Sequence, residues 1–278
     1  ALVLVLVPAG GLAAQDDERP DHDQFDSVAE VPGDEPVPDI RFAFPAGARA
    51  GSCLHGILEH CAFDAPLDRR LVAAQLSRAG FAASLSSGVG DWMDAVLDTG
   101  LRAPDGRSVS LRAVAPGVLV REMDFLLPGD GVDDRALLEA VAAEYPLDAW
   151  VASSRWSGFL RGFIDLVFEQ DGRWYVLDWK SNRLGGRFAD YEPPAVEAAM
   201  REHAYPLQAC LYLLVLHRFL RLRLPDYDWD RDIGGAFWVF VRGVRPGPAG
   251  EPTPGVHASK PSRALIERLD RLLAGGGR

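Results

Sequence analysis

Cysteine is scarce in this chain of 278 residues: Cys53, Cys61 and Cys210 are an odd set with no C-x-x-C spacing. That excludes a zinc ribbon and a four-cysteine iron–sulfur cluster, and it points to reduced thiols in a cytoplasmic protein. Cys53 and Cys61 flank His55, but a mixed zinc site there needs two more close ligands, so packing cysteines on a helix are the simpler reading. No apolar run is long enough to cross a bilayer, which argues against a membrane protein. Internal repeats are absent as well. The opening "ALVLVLVPAGGLAAQ" imitates a secretory signal but has neither an initiator Met nor a basic start. It is expected to be a short strand or a junction from an upstream domain.

An excess of positive charge is also lacking, since the formal net charge is −11. Its distribution matters more than its sum. Residues 1–40 hold ten acids against one base, Arg19, and so carry −9 of the −11. The remainder, with 28 bases and 30 acids, is near neutral and can present a local basic surface. Overall acidity therefore does not exclude a nucleic-acid partner.

What is present is a core-forming sequence, 48% apolar, behind an acidic, proline-rich segment with little periodicity. Residues 1–45 read as a linker or junction and 46–278 as the folded body. In "GSCLHGILEHCAF" the apolar positions repeat at helical spacing, Ser52 is a plausible N-cap, and His55 and Glu59 lie one turn apart. Further helices are expected at Leu67–Ala79, Asp91–Asp98 and Asp134–Ala143, with a strand in "VLVREMDFLLP". A long helical stretch at Pro194–Leu222 should be broken or kinked by Pro206 near Tyr205. "GGAFWVFVRGV" reads as a buried strand, and Leu265, Leu269 and Leu272 mark a terminal helix. The order of elements fits an α/β fold with a mixed sheet flanked by helices.

The densest chemistry lies in "GFIDLVFEQDGRWYVLDWKSN". Two apolar, strand-like runs flank Asp171-Gly172, a strong two-residue hairpin signal. With those two residues as the loop, cross-strand partners pair Gln170 with Arg173 and Asp165 with Asp178. Opposed carboxylates destabilise a sheet unless something compensates. Period-2 alternation puts Lys180 on the face of Asp178 and turns Leu177 and Trp179 to the other side. Converging carboxylates suit a hard divalent cation, and an adjacent ammonium suits developing negative charge. A D-x-K triplet alone is more often a solvated strand end; the cross-strand register is what lifts it toward a metal site.

Taken in order, "G-x-x-L-H-x-x-x-E" at Gly51–Glu59, "REMDFLLP", "GFIDLVF…YVLDWKSN", the pair Gln208 and Tyr212 in "YPLQACLYLLVLHRFL", and "GGAFWVFVRGV" resemble the C-terminal nuclease domains of the RecB family. These belong to the PD-(D/E)xK superfamily, which implies a restriction-endonuclease-like mixed sheet. The resemblance runs from about Pro45 to the end, and Ile164-Asp165 stands where the family commonly has its first "PD". It implies that His55, Asp165 and Asp178 ligate Mg²⁺ (or Mn²⁺), aided by the main-chain carbonyl of Trp179. Lys180 would orient or activate the attacking water, and Gln208 and Tyr212 would steady Lys180 or the DNA backbone. Glu59 and Glu122 rank lower, since exposed ion pairing explains them equally well. The implied activity is exonucleolytic hydrolysis of DNA unwound by a helicase region upstream in the same chain, beside RecC-like and RecD-like subunits and a RecA-like recombinase. The alternative is a nuclease-like scaffold that has lost catalysis and only binds DNA or partners.

Overall fold

The computed structural model of the chain describes residues 39–148, 154–247 and 250–274, and the backbone of residues 5–7. The expected acidic linker otherwise lies outside the described residues. The elements run β1 (Val5–Val7), α1 (Ile40–Ala43), α2 (Ala48–His60), α3 (Arg69–Arg78), α4 (Ser86–Asp98), β2 (Leu101–Arg102), β3 (Ser108–Val109), β4 (Leu119–Asp133), α5 (Asp134–Ala142), β5 (Arg155–Gln170) and β6 (Arg173–Lys180). They continue with α6 (Pro193–Glu202), α7 (Tyr205–Arg223), α8 (Trp229–Asp232), β7 (Ile233–Phe240), β8 (Val256–Ser259) and α9 (Arg263–Leu273).

The main sheet has six strands in the order β1-β5-β6-β7-β8, with β4 on the other side of β5. The β6–β7 pair is parallel and the others are antiparallel. This is the mixed α/β sheet expected from the sequence. Val5–Val7 pair with Phe159–Arg161 of β5, so part of the N-terminal apolar run is indeed a strand. One core packs α5, α6, α7 and α9 onto one face of the sheet. A second packs α2, α3 and α4 onto the other. With helices on both sides, β7 is buried at all eight positions, which explains why it reads as an unbroken apolar run rather than an alternating one.

The hairpin forms as its turn chemistry requires. Asp171 and Gly172 both have positive φ, 53° and 77°, as a two-residue type I′ connection demands. The ladder runs from Gln170 opposite Arg173 to Leu166 opposite Leu177, in the expected register, but ends one rung short of the expected pair of Asp165 and Asp178. Elsewhere local signals shift. The first helix of the body is capped by Gly47 rather than Ser52. The long helical stretch is nevertheless broken just before Tyr205, as expected, with Pro206 in the first turn of α7, where its missing N–H has no helical partner to lose. Ala204 in the left-handed region separates α6 from α7.

The sequence places the boundary of the body at 45/46, yet Phe42 and Phe44, 7% and 1% exposed, belong to the two cores. Arg242, fully buried, donates hydrogen bonds to the carbonyls of Arg41, Phe44, Pro45 and Ser181. It thereby ties residues 41–45 to the end of β6. Each buried carbonyl left without a donor costs roughly 1–3 kcal/mol. Deletion of residues 1–38 should accordingly preserve cooperative unfolding, whereas deletion through 45, or Arg242→Met, should lower the urea midpoint with little change in slope. Equal midpoints for the two deletions would show that residues 39–45 contribute nothing.

Candidate metal centre

The site begins with an interruption in β4 and β5. Arg121 pairs with Leu166 and Met123 with Ile164 in one register, but Glu122 and Asp165 between them are not joined in the ladder. Glu122 has φ of 49°, an uncommon conformation for a residue with a side chain. Ile164 and Val167 both enter the core under α7, whereas Leu166 enters the core under α2. Strict alternation therefore fails at Asp165. Irregularities of this kind re-aim side chains and collect beside active sites.

Re-aimed, the Asp165 side chain turns toward β6. Its Oδ2 accepts a hydrogen bond from the Trp179 N–H at 2.7 Å and lies 3.6 Å from His55 Nδ1. A strand residue directs its N–H and C=O to the same edge, so the Trp179 carbonyl also faces β5. His55, Glu122 and Asp165 each offer a ligand atom, and these atoms lie within 4.8 Å of one another. Ligands of one octahedral Mg²⁺ sit about 3–4 Å apart, so a small inward shift closes the set. Glu122, ranked low from sequence, thus stands in the cluster. Glu59 does not: it lies 3.8 Å from His60 on its own helix.

Asp178 and Lys180 share a face, as alternation predicts, and that face packs against α7. Both are buried, 1% and 2% exposed, with Lys180 Nζ 2.7 Å from Asp178 Oδ2. That contact is an ion pair by distance, yet no well-aligned hydrogen bond reaches Oδ2. Asp178 stands outside the three residues whose ligand atoms lie within 4.8 Å of one another, and its Oδ2 is engaged by the Lys180 ammonium; the imidazole of His55 and the carboxylates of Glu122 and Asp165 are the donors that suit a hard divalent cation. Gln208 donates to Asp178 Oδ1 at 2.9 Å and to the Tyr212 hydroxyl at 2.8 Å, and accepts from Lys180 at 3.2 Å. Two further residues complete this layer. The Tyr205 ring lies 3.9 Å from Lys180 Nζ, and the Trp238 indole N–H donates to Gln208 Oε1 at 3.2 Å.

The charges sort accordingly. Burial, then the nearby Asp178 carboxylate, pushes the Asp165 pKa up. Burial pushes Asp178 the same way, but the Lys180 ammonium outweighs it and holds Asp178 below its ordinary value. Burial acts to lower the Lys180 pKa, yet Asp178 reverses this and raises it. Lys180 is an ammonium.

Other polar side chains are held in structural contacts. His217 bonds to the Tyr227 hydroxyl at 2.8 Å and packs on Trp229. Arg161 pairs with Asp124, Arg187 with Asp190 and Arg218 with Asp270. The three cysteines are free and buried. Among the described residues no helix is long and apolar enough to cross a membrane. One compositional signal was available for the site: Lys180 and Lys260 are the two lysines of the sequence, so a lysine inside an apolar strand stands out against arginine.

A family model described as the PD-(D/E)XK nuclease superfamily matches residues 35–275. The chain belongs to the PD-(D/E)XK nuclease superfamily. Among curated proteins it is 36% identical over 236 residues to the RecBCD enzyme subunit RecB of Escherichia coli K12, covering 84% of this chain and 20% of that protein. The Haemophilus influenzae subunit is 34% identical over 233 residues, 81% of this chain and 18% of that one. The subunit of Mycobacterium tuberculosis H37Rv is 34% identical over 267 residues, covering 84% and 24%. The chain thus spans about a fifth of the length of these relatives. Asp165 and the Asp178-Trp179-Lys180 triplet lie within the matched residues. The mixed sheet carrying them is restriction-endonuclease-like.

Proposed function

We propose that this chain is a Mg²⁺-dependent DNA exonuclease module of a RecB-like helicase–nuclease subunit. The observation that carries the reading is the convergence of His55, Glu122 and Asp165 beside the buried Asp178–Lys180 pair. A divalent cation in this donor set supplies Lewis-acid polarisation of the scissile phosphate and a more acidic water. Mn²⁺ is expected to substitute. Asp165 and Asp178 would hold the cation, with His55, Glu122 and the Trp179 carbonyl as further protein ligands. Lys180, kept as an ammonium by Asp178, orients the attacking water and offsets charge on the phosphate rather than removing a proton. Gln208 holds Lys180 and Asp178 together, and Tyr212 holds Gln208.

By analogy with the relatives' names, the module acts in the cytoplasm with RecC-like and RecD-like subunits, beside a RecA-like recombinase, on strands unwound by a helicase region upstream in the same chain, in double-strand break repair and recombination. The direct test is incubation with linear and covalently closed circular DNA, each with Mg²⁺ and with EDTA. Linear DNA should be degraded to short products with Mg²⁺, EDTA should stop the reaction, and Mg²⁺ or Mn²⁺ should restore it. Hydrolysis that survives exhaustive chelation rules out the metal mechanism, and equal attack on the closed circle rules out an exonuclease.

A further inference from the structure

Gln208 is fully buried, and all four of its amide hydrogen-bonding positions are used. Oε1 accepts from Lys180 Nζ and from Trp238 Nε1, both at 3.2 Å. Nε2 donates to Asp178 Oδ1 and to the Tyr212 hydroxyl. The two ends of an amide are nearly isosteric, so only its partners decide which way it points. Lys180 and Asp178 favour the observed orientation, but they are also the groups that metal and phosphate engage, so neither is a constant anchor. The Tyr212 hydroxyl can donate or accept and does not discriminate. The indole N–H of Trp238 can only donate, carries no charge and titrates with nothing.

Trp238 is placed for this by the sheet. It lies directly opposite Asp178 in the parallel β6–β7 register, so both side chains rise from the same face toward α7. Its ring stacks on Tyr212, with centroids 6.4 Å apart at 23°, and it is itself fully buried. Turning the amide over would set Nε2 against two donors and Oε1 against a carboxylate.

We propose that Trp238 is a positioning residue of the nuclease site: its indole N–H holds Oε1 of Gln208 toward Lys180 and Nε2 toward Asp178 throughout the reaction. The inference rests on the nuclease reading given above. It acts on the chemical step rather than on DNA binding, because it controls where Lys180 stands and touches no substrate.

The test compares Trp238→Phe, which keeps an aromatic ring but removes the donor, with Gln208→Ala and the double variant, all in the full chain. With Mg²⁺ and linear DNA, Trp238→Phe should lower kcat about tenfold, the worth of one buried hydrogen bond, with KM for DNA unchanged. In the Gln208→Ala background the same replacement should cost nothing further. In parallel, the metal-free protein is read by ¹⁵N NMR: the Trp238 indole N–H resonance should shift and lose protection from exchange in Gln208→Ala and stay put in Tyr212→Phe. A kcat loss of equal size in both backgrounds, or an indole resonance indifferent to Gln208→Ala, overturns the inference and leaves Trp238 as packing. An inactive wild type with Mg²⁺ overturns the nuclease reading, and the positioning role with it. Melting curves separate these results from simple loss of fold.

Discussion

Lys180→Met is expected to lower DNA hydrolysis by roughly 10²–10³-fold, the usual effect of removing one electrostatic stabiliser from an active site. It is also expected to destabilise the metal-free protein. Lys180 and Asp178 are both buried at 2.7 Å, and removing one partner of a buried ion pair costs about 3–5 kcal/mol because the other charge is stranded. The pH dependence distinguishes this from lost packing. In the wild type Lys180 holds the Asp178 pKa below its ordinary value. Its contribution to stability is therefore present above the unfolded carboxylate pKa of about 3.9 and disappears as pH falls through the lower folded value. Without the ammonium, burial dominates and the Asp178 pKa lies above the unfolded one, so the sign reverses. The deficit of the variant should be largest near neutral pH and shrink on mild acidification. Asp178→Asn combined with Lys180→Met should recover most of the stability and none of the activity. Urea unfolding in EDTA at two pH values measures this; a deficit independent of pH would assign it to packing alone.

Asp165→Asn should separate the cost of the carboxylate from its use. The Asp165 pKa is raised, first by burial and then by Asp178. A raised folded pKa means stability that is fully present below the unfolded value and is lost as pH rises through the folded one. Near neutral pH the metal-free wild type carries that loss, and the amide does not. The amide oxygen can still accept from the Trp179 N–H, the contact that Asp165 makes at 2.7 Å. The variant should therefore be inactive, should melt at or above the wild type in EDTA, and should gain far less from added Mg²⁺, since stabilisation by a ligand scales with occupancy of the folded state alone. Paired melting curves with and without Mg²⁺ decide it. A variant that melts clearly lower in EDTA, or gains as much from Mg²⁺, would mean that these carboxylates are not a repulsive pair relieved by a cation.

Much of this is legible in the sequence alone. The hairpin register followed from Asp171-Gly172 because turn conformation is local: two residues with positive φ determine which positions face each other. The common face of Asp178 and Lys180 followed from strand periodicity, and Gln208 beside Tyr212 from one turn of helix. His55 entered through the resemblance, since a histidine on an apolar helix carries no signal of its own.

Glu122 was not legible as a member of the cluster. Strict alternation in "VLVREMDFLLP" says nothing of a left-handed residue, and that kink only has meaning where β4 meets Asp165 of β5, more than forty positions along the chain. Trp238 was invisible for a related reason. Inside an unbroken apolar run its indole reads as core, and its donor role exists only because β7 lies parallel to β6 and α7 crosses above both. What the sequence by itself determined are the relations carried by neighbouring residues, namely turn, period and helical spacing. The docking of strands and helices decided the rest: which carboxylates converge, which lose water and which donor meets Gln208. Those depend on burial and close packing between segments far apart in the chain, where a side chain's chemistry is set by what surrounds it rather than by what adjoins it in sequence.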